Sequence, residues 1–521
     1  MRTPSRSSRP RRLPRTLAAA VGAALLATAA TACAGDGDQA AGSSSGAKTL
    51  ALSILGTPNS FAPTQLVRGQ QAYVWQSIYD TLLIEDNNGQ LKPGAAESWK
   101  YSDDARTLTL KLRGGMKFSS GAAVDASAVK ATLDLMVKTP GPNQGSLASV
   151  ASVEAPDAST VVIKLKQPDG SLLASLSSAS GVVGDPKTMT DKSAALNPVG
   201  SGPYTLDKAQ TVNGSVYVLK KRDDYWDKAA YPFQTVKLRV ISDPTAAANA
   251  LKASETNAGS VDASRLSQLE SSGFKVTEVG ATAGANLVLA DRAGTKLKAL
   301  GDVRVRKAIN MAFDRDKLVQ QMLRGGGVAT EQVFKPKGQV YDQALNKTYA
   351  YDTKAAKKLM AAAGYANGFS VKMPSFVYIK QFEPIIQQAL GDIGVKVTWE
   401  PVPPQQSGTA LLSGKYPMFL IMDGLDADPV LAKAFYGEGG YRNPFHTTDP
   451  RLTDLLAEAD RQTDPVKAAA AYRKVNEFGV EQAWTAPLFF VGTQWVTGKG
   501  ITYLGDGSST APTIRQFGVA K

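Results

Sequence analysis

Histidine and cysteine build most metal centres and many nucleophilic sites, and this 521-residue chain has one of each, His446 and Cys33. A zinc site made from such ligands needs several of them, so composition argues against one. A Ser-His-Asp hydrolase would have to use His446, in the turn-rich stretch Asn443-Pro444-Phe445-His446-Thr447-Thr448-Asp449-Pro450, and the chain has no Gly-x-Ser-x-Gly elbow to partner it. The segment Gly492-Thr493-Gln494-Trp495-Val496-Thr497-Gly498-Lys499-Gly500 has the Gly-Lys of a phosphate cradle. It also has one residue too many between the glycines, and Gly where Ser or Thr should follow. It reads as a turn between strands. Carboxylate chemistry remains: Asp423 and Asp426 would suit a secreted hydrolase if they stood about 5 to 10 Å apart across a cleft. No cofactor is implied.

Cys33 points to an address instead of a reaction. Residues 1–32 contain six arginines (2, 6, 9, 11, 12 and 15) and no acid, followed by an apolar stretch from Leu17 to Leu26 and then small residues. That order describes a signal peptide. A lone thiol just after it suggests diacylglyceryl attachment, with 33–47, rich in Gly and Ser, as a flexible tether. The competing reading is a plain signal cut after Ala30-Thr31-Ala32, with Cys33 unused. Arg11-Arg12 also raises the twin-arginine route, although Pro14 stands where that signal has an apolar residue.

The formal charge of +13 falls to +7 once the six arginines of the signal are removed. Lys and Arg are scattered without long runs, so no nucleic-acid footprint is expected. One cysteine allows no internal disulfide, so a large apolar core must stabilise the exported chain. Beyond residue 32 no apolar run approaches the length of a membrane span.

The elements that would position a site alternate between two hydrophobic periods. Leu108, Leu110 and Leu112 share one face of a predicted strand that ends at Gly114-Gly115, and Val129, Leu133 and Met136 mark a helix over 124–137. Strands are predicted at 160–165, 216–220, 369–373, 395–402 and 416–422. One helix is predicted to open on Asp302 and run through Phe313 to Leu323, stopping at Gly325-Gly326-Gly327. Others are predicted at 353–363, 382–393, 449–462 and 465–482. The mixture predicts α/β lobes.

Several segments, in order, resemble the family 5 extracellular solute-binding proteins, the oligopeptide, dipeptide and nickel-type subunits of ABC importers. They are Ile78-Tyr79-Asp80-Thr81-Leu82-Leu83, Gly89-Gln90-Leu91-Lys92-Pro93-Gly94-Ala95-Ala96-Glu97-Ser98-Trp99, Leu112-Arg113-Gly114-Gly115-Met116-Lys117-Phe118, Val199-Gly200-Ser201-Gly202-Pro203-Tyr204, Tyr225-Trp226, Asp302-Val303-Arg304-Val305-Arg306-Lys307-Ala308-Ile309, Ala312-Phe313-Asp314-Arg315 and Ala361-Ala362-Ala363-Gly364-Tyr365. Gly200 and Gly202 suggest a tight turn near a lobe junction, Arg304 and Arg306 a docked helix start, and Trp99 and Trp226 core aromatics.

The resemblance implies a two-lobe, periplasmic-binding-protein-like clamp of type II, in its large form. Lobe I would span 48–282 with an extra subdomain at about 72–198, lobe II 283–490, and 491–521 would return to lobe I. Hinge strands would cross near 282–290 and 488–496. It further implies a monomer without catalysis, exported and held on the outer face of the cytoplasmic membrane by its lipid alone. Such a protein captures a peptide or small molecule and delivers it to an ABC permease and ATPase.

Two pocket regions carry over. After Ala62-Pro63, where the family has Asp-Pro, the residues implied to touch ligand are Val67, Arg68, Gly69 and Gln70. Around Asp428-Pro429, the family's amine-pairing Asp falls on Leu425 and its Trp on Met422. A buried ammonium needs a carboxylate, so either Asp423 or Asp426 takes that role or the cargo has no free amine. Trp75, Phe376 and Tyr378 are candidates for stacking or for core packing, and Gln405 with Gln406 for hydrogen bonds. Nickel is disfavoured for want of histidines. The other readings are a binder of oligosaccharide or another polar metabolite, a ligand sensor, and the carboxylate hydrolase.

Overall fold

The computed structural model describes residues 48–520 apart from 262, 404 and 405. The expected signal peptide over 1–32, Cys33, the expected tether and Gln405 lie outside the described residues.

A nine-stranded sheet forms the backbone of the fold. At its centre Thr49–Ile54 pairs in parallel with Thr235–Val240 on one side and Ala258–Val261 on the other. Outward from Thr235–Val240 follow Val216–Lys221 and Tyr204–Leu206, both antiparallel. Outward from Ala258–Val261 come two long antiparallel strands, Ala486–Thr497 and Lys275–Leu289, and then Met418–Gly424. The short strand Gly327–Ala329 also pairs with Ala486–Thr497.

Two hydrophobic cores flank this sheet, and the two long strands pass between them. Val279 and Trp495 belong to the first core with Leu50, Leu238 and Phe517, whereas Leu287 and Phe489 belong to the second with Ile309, Phe435 and Val475. Each lobe thus buries its own apolar surface, the dominant favourable term in folding. The chain runs into the second core on Lys275–Leu289 and returns on Ala486–Thr497.

The first core also takes in a four-stranded antiparallel sheet, ordered Ala96–Tyr101, Thr107–Leu112, Thr160–Leu165, Val150–Asp157. Leu108, Leu110 and Leu112 do point inward together there. At about 1.5 to 3 kcal/mol for each buried leucine, that alternation sets the register. The adjoining helix Ala126–Lys138 opens on Asp125, whose carboxylate accepts from the Ala128 N–H.

Three expectations need correction. The single helix from Asp302 is two helices, Val303–Met311 and Arg315–Leu323. Asp314 caps the second by accepting from the Lys317 N–H, and the buried Arg315 donates to the carbonyls of Pro487 and Asn310. A fresh cap and an inward-facing guanidinium outweigh continuous apolar spacing. Second, residues 492–497 are not a turn but the second half of Ala486–Thr497, and the turn follows at Gly498-Lys499-Gly500. A Cβ on Gly492 would lie 2.2 Å from the Val279 carbonyl oxygen, so this glycine serves close strand approach. Third, Gly200 and Gly202 have no positive φ; their Cβ positions would fall 2.1 and 2.6 Å from Ile78 backbone atoms. They let the chain pass directly over the end of helix Ala72–Ile78.

Arg306 and Trp226 of the family motifs serve packing, whereas Arg304 is exposed and pairs with Asp302. Arg306 is buried and donates to the carbonyls of Leu300 and Gln482. Trp226 packs beneath the Arg113 guanidinium, 4.0 Å from its ring centroid.

Candidate ligand cavity

A cavity of about 500 Å³ opens between the two lobes, within the size range of small-ligand sites. Its floor is an irregularity in the long strands. Pairing is interrupted between Val279 and Ala283, which leaves Ala281 and Thr282 facing the cavity beside Thr493 and Trp495. The Thr282 and Thr493 hydroxyls lie 2.9 Å apart.

The first-lobe wall comes from the loop after the opening strand and from helix Ala72–Ile78. Arg68, Gly69 and Gln70 line it, followed by Tyr73, Trp75 and Gln76. Gly69 takes φ +96°, which a side chain would resist. The Gln70 side chain accepts from the Leu55 N–H at 2.8 Å, and the Trp75 indole N–H donates to the Val67 carbonyl at 2.9 Å. Those bonds hold the loop to the sheet and the helix.

Opposite stands the end of Met418–Gly424 and the turn after it, with Asp423, Gly424, Leu425 and Asp426, together with Tyr441. A third wall is the C-terminal loop Ser509-Thr510-Ala511-Pro512, anchored where Glu85 accepts from the Thr510 N–H at 2.5 Å and its hydroxyl at 3.0 Å.

Ion pairs dominate the electrostatics. Arg68 reaches across the cleft to both carboxylate oxygens of Asp426, joining the two lobes at the cavity rim. Asp423 takes a two-pronged contact from Arg442, with Nε 2.7 Å from Oδ2, and Arg442 stacks on Tyr441. Burial, then the Asp423 charge, pushes the Tyr441 phenol up to about 12, and burial holds Tyr73 well above its ordinary range. Both therefore face the cavity uncharged.

Farther out, the Lys433 ammonium of the second lobe meets Asp169 of the first and lies 3.7 Å from Asp460. Asp460 also accepts from the Gly170 N–H at 3.2 Å and the Tyr472 hydroxyl at 2.6 Å. Lys335 and Lys337 donate to the carbonyls of Ser508 and Asp506.

Of the residues proposed from sequence, the cavity collects Arg68, Gly69, Gln70, Trp75, Asp423, Leu425 and Asp426. Val67 contributes its carbonyl to Trp75 and is not in the lining. Phe376 is buried in the second core, stacked on the half-exposed Tyr378 at 5.5 Å, and neither lines the cavity. Met422 packs beside Ile385 and Phe489. His446 is exposed, with Nδ1 3.1 Å from the Glu438 carbonyl. Among the described residues no group of three or more His, Cys, Asp or Glu could hold a metal ion.

Sequence reasoning missed Glu85, Thr282, Thr493, Tyr441 and the C-terminal loop. Only the loop had a local signal, in its Ser, Thr and Pro content; the threonines face the cavity because of strand pairing.

Two α/β lobes joined by two long strands, with a cavity at the junction, define a clamp-type solute-binding protein. The profile of the Bacterial extracellular solute-binding proteins, family 5 Middle, matches residues 90–469, and the chain belongs to that family of ABC-importer binding proteins. It is 28% identical over 438 residues to the glutathione-binding protein GsiB of Escherichia coli K12, covering 80% of this chain and 83% of that one. By structure it is similar to the periplasmic binding protein DppA of Helicobacter pylori in complex with the peptide STSA (TM-score 0.76, 22% identity, 91% of this chain and 99% of that one). It is equally similar to AgaA of A. tumefaciens R10 in complex with agropinic acid (TM-score 0.76, 23% identity, 91% and 99%). Among the described residues no helix is long and apolar enough to cross a membrane.

Proposed function

We propose that this protein captures short peptides or peptide-like solutes outside the cytoplasmic membrane and passes them to an ABC permease, working as a monomer tethered through a lipid on Cys33. The observation that carries this reading is the interlobe cavity of about 500 Å³ whose rim is bridged by Arg68 and Asp426. Backbone-like acceptors and donors, neutral phenols and threonine hydroxyls suit a ligand rich in amides. The long strands at 282–290 and 488–496 serve as the hinge, and ligand drives closure by contacting both walls at once. Capture without turnover fits Asp423 and Asp426, each engaged by an arginine.

The agropinic acid held by AgaA supports a second reading, a polar metabolite in the same cavity. Mass spectrometry of the protein extracted from membranes separates these and tests the anchor in the same measurement. A retained series of di- to tetrapeptide masses and a diacylglyceryl increment on Cys33 are expected. A single non-peptide mass would overturn the peptide reading, and an unmodified Cys33 the anchor.

A further inference from the structure

One guanidinium and three carboxylates line the cavity: Arg68, Glu85, Asp423 and Asp426. Three are matched, because Arg68 pairs with Asp426 and the neighbouring Arg442 pairs with Asp423. Glu85 has no ion pair among the described residues: its oxygens accept from the Thr510 N–H and hydroxyl, and Arg68, which feels its charge, is committed to Asp426. With Arg442 counted, three carboxylates face two guanidiniums, which leaves one negative charge. A carboxylate offers about four acceptor positions, and Thr510 fills two.

The surroundings of Glu85 reinforce that sign. It also lines a small side chamber of about 30 Å³, shared with Gln76, Ser177 and the buried Asp80. Arg515, which also lines that chamber, pairs with Asp227 at 2.7 Å. Oxygen atoms and residual negative charge thus converge at one end of the cavity. An unpaired carboxylate in a confined site recovers its lost hydration best by meeting a cation.

Resting on the capture reading above, we propose that Glu85 is the cation anchor of this cavity. It receives the ammonium group of an amine-bearing solute from the first lobe, opposite the Asp423–Asp426 segment. The preferred cargo is a ligand with a free primary amine.

The test measures calorimetric affinity for tri-alanine, N-acetyl-tri-alanine, glucosamine and glucose, using the full mature protein and its Glu85→Gln variant. Gln keeps an acceptor for the Thr510 N–H, and the melting temperature checks that the variant is folded. A Thr510→Val variant, which frees one acceptor position while keeping the charge, controls for the loop. Wild type should prefer an amine-bearing member over its uncharged counterpart by at least tenfold. Glu85→Gln should erase that preference by weakening the amine ligand alone, and Thr510→Val should keep it.

If glucosamine binds this way and no peptide does, the anchor stands and the peptide reading falls. If both tri-alanines bind equally, the peptide reading stands and the anchor is overturned. An amine preference that survives in Glu85→Gln, or no binding of any amine, also overturns it.

Discussion

At the residue scale, this protein is governed by which charges find partners. Sequence shows Asp423 and Asp426 near the turn that holds the family's amine-pairing acid, and both do line the cavity. The pairing of Arg68 with Asp426 was not legible, because 358 residues separate them and only the folded chain joins them. Glu85 passed unnoticed for the same reason, since a carboxylate becomes notable only once the others are matched. Asp80 shows the cost of confinement. It accepts from the Tyr225 hydroxyl at 2.8 Å, yet burial, against the pull of that hydrogen bond, raises its carboxyl to about 6. A raised folded-state value means its stabilising contribution is complete below the ordinary carboxylate range and is lost as pH rises through about 6. Asp80→Asn, which keeps the acceptor and removes the charge, should raise the melting temperature by several degrees at pH 8 and leave it unchanged near pH 4. Melting curves at both pH values check this.

At the element scale, local patterning located the leucine-faced strand Thr107–Leu112 and the helix Pro465–Glu481, and left others unmarked, among them the strand Val150–Asp157 and the helix Asp428–Tyr436. It failed where long-range packing overrode periodicity. The break at Asp314 exists because Arg315 has carbonyls of a distant strand to satisfy. The misread Gly492 stretch has turn-like composition, yet its glycine is needed where two strands crowd each other at an interrupted register. Gly492→Val should force those strands apart, costing about 2 kcal/mol or more and several degrees of melting temperature. Gly280→Ala, with nothing within 4 Å of the new methyl, should cost far less. Paired thermal melts of the two variants decide the point.

At the scale of the whole molecule, contacts between the lobes set how readily the clamp stays shut. Lys433 lies between Asp169 and Asp460 and joins the lobes well away from the cavity. Lys433→Met would leave two carboxylates facing each other across the cleft, a repulsion relieved by opening. Its radius of gyration in X-ray scattering without ligand should therefore exceed that of wild type, and its affinity should fall several-fold because closure must be driven harder. An unchanged radius would show that this cluster does not hold the lobes together. Motifs in fixed order and two hydrophobic periods depend on local spacing, so the class of the protein is readable from the chain before it folds. Composition also determined the chemistry available, because one histidine and one cysteine leave few alternatives. Which side chains share the cavity, and which carboxylate there has no ion pair, became visible only in the folded chain. The Arg68–Asp426 pair and the Glu85–Thr510 contact join segments hundreds of residues apart, and no local pattern records such distances.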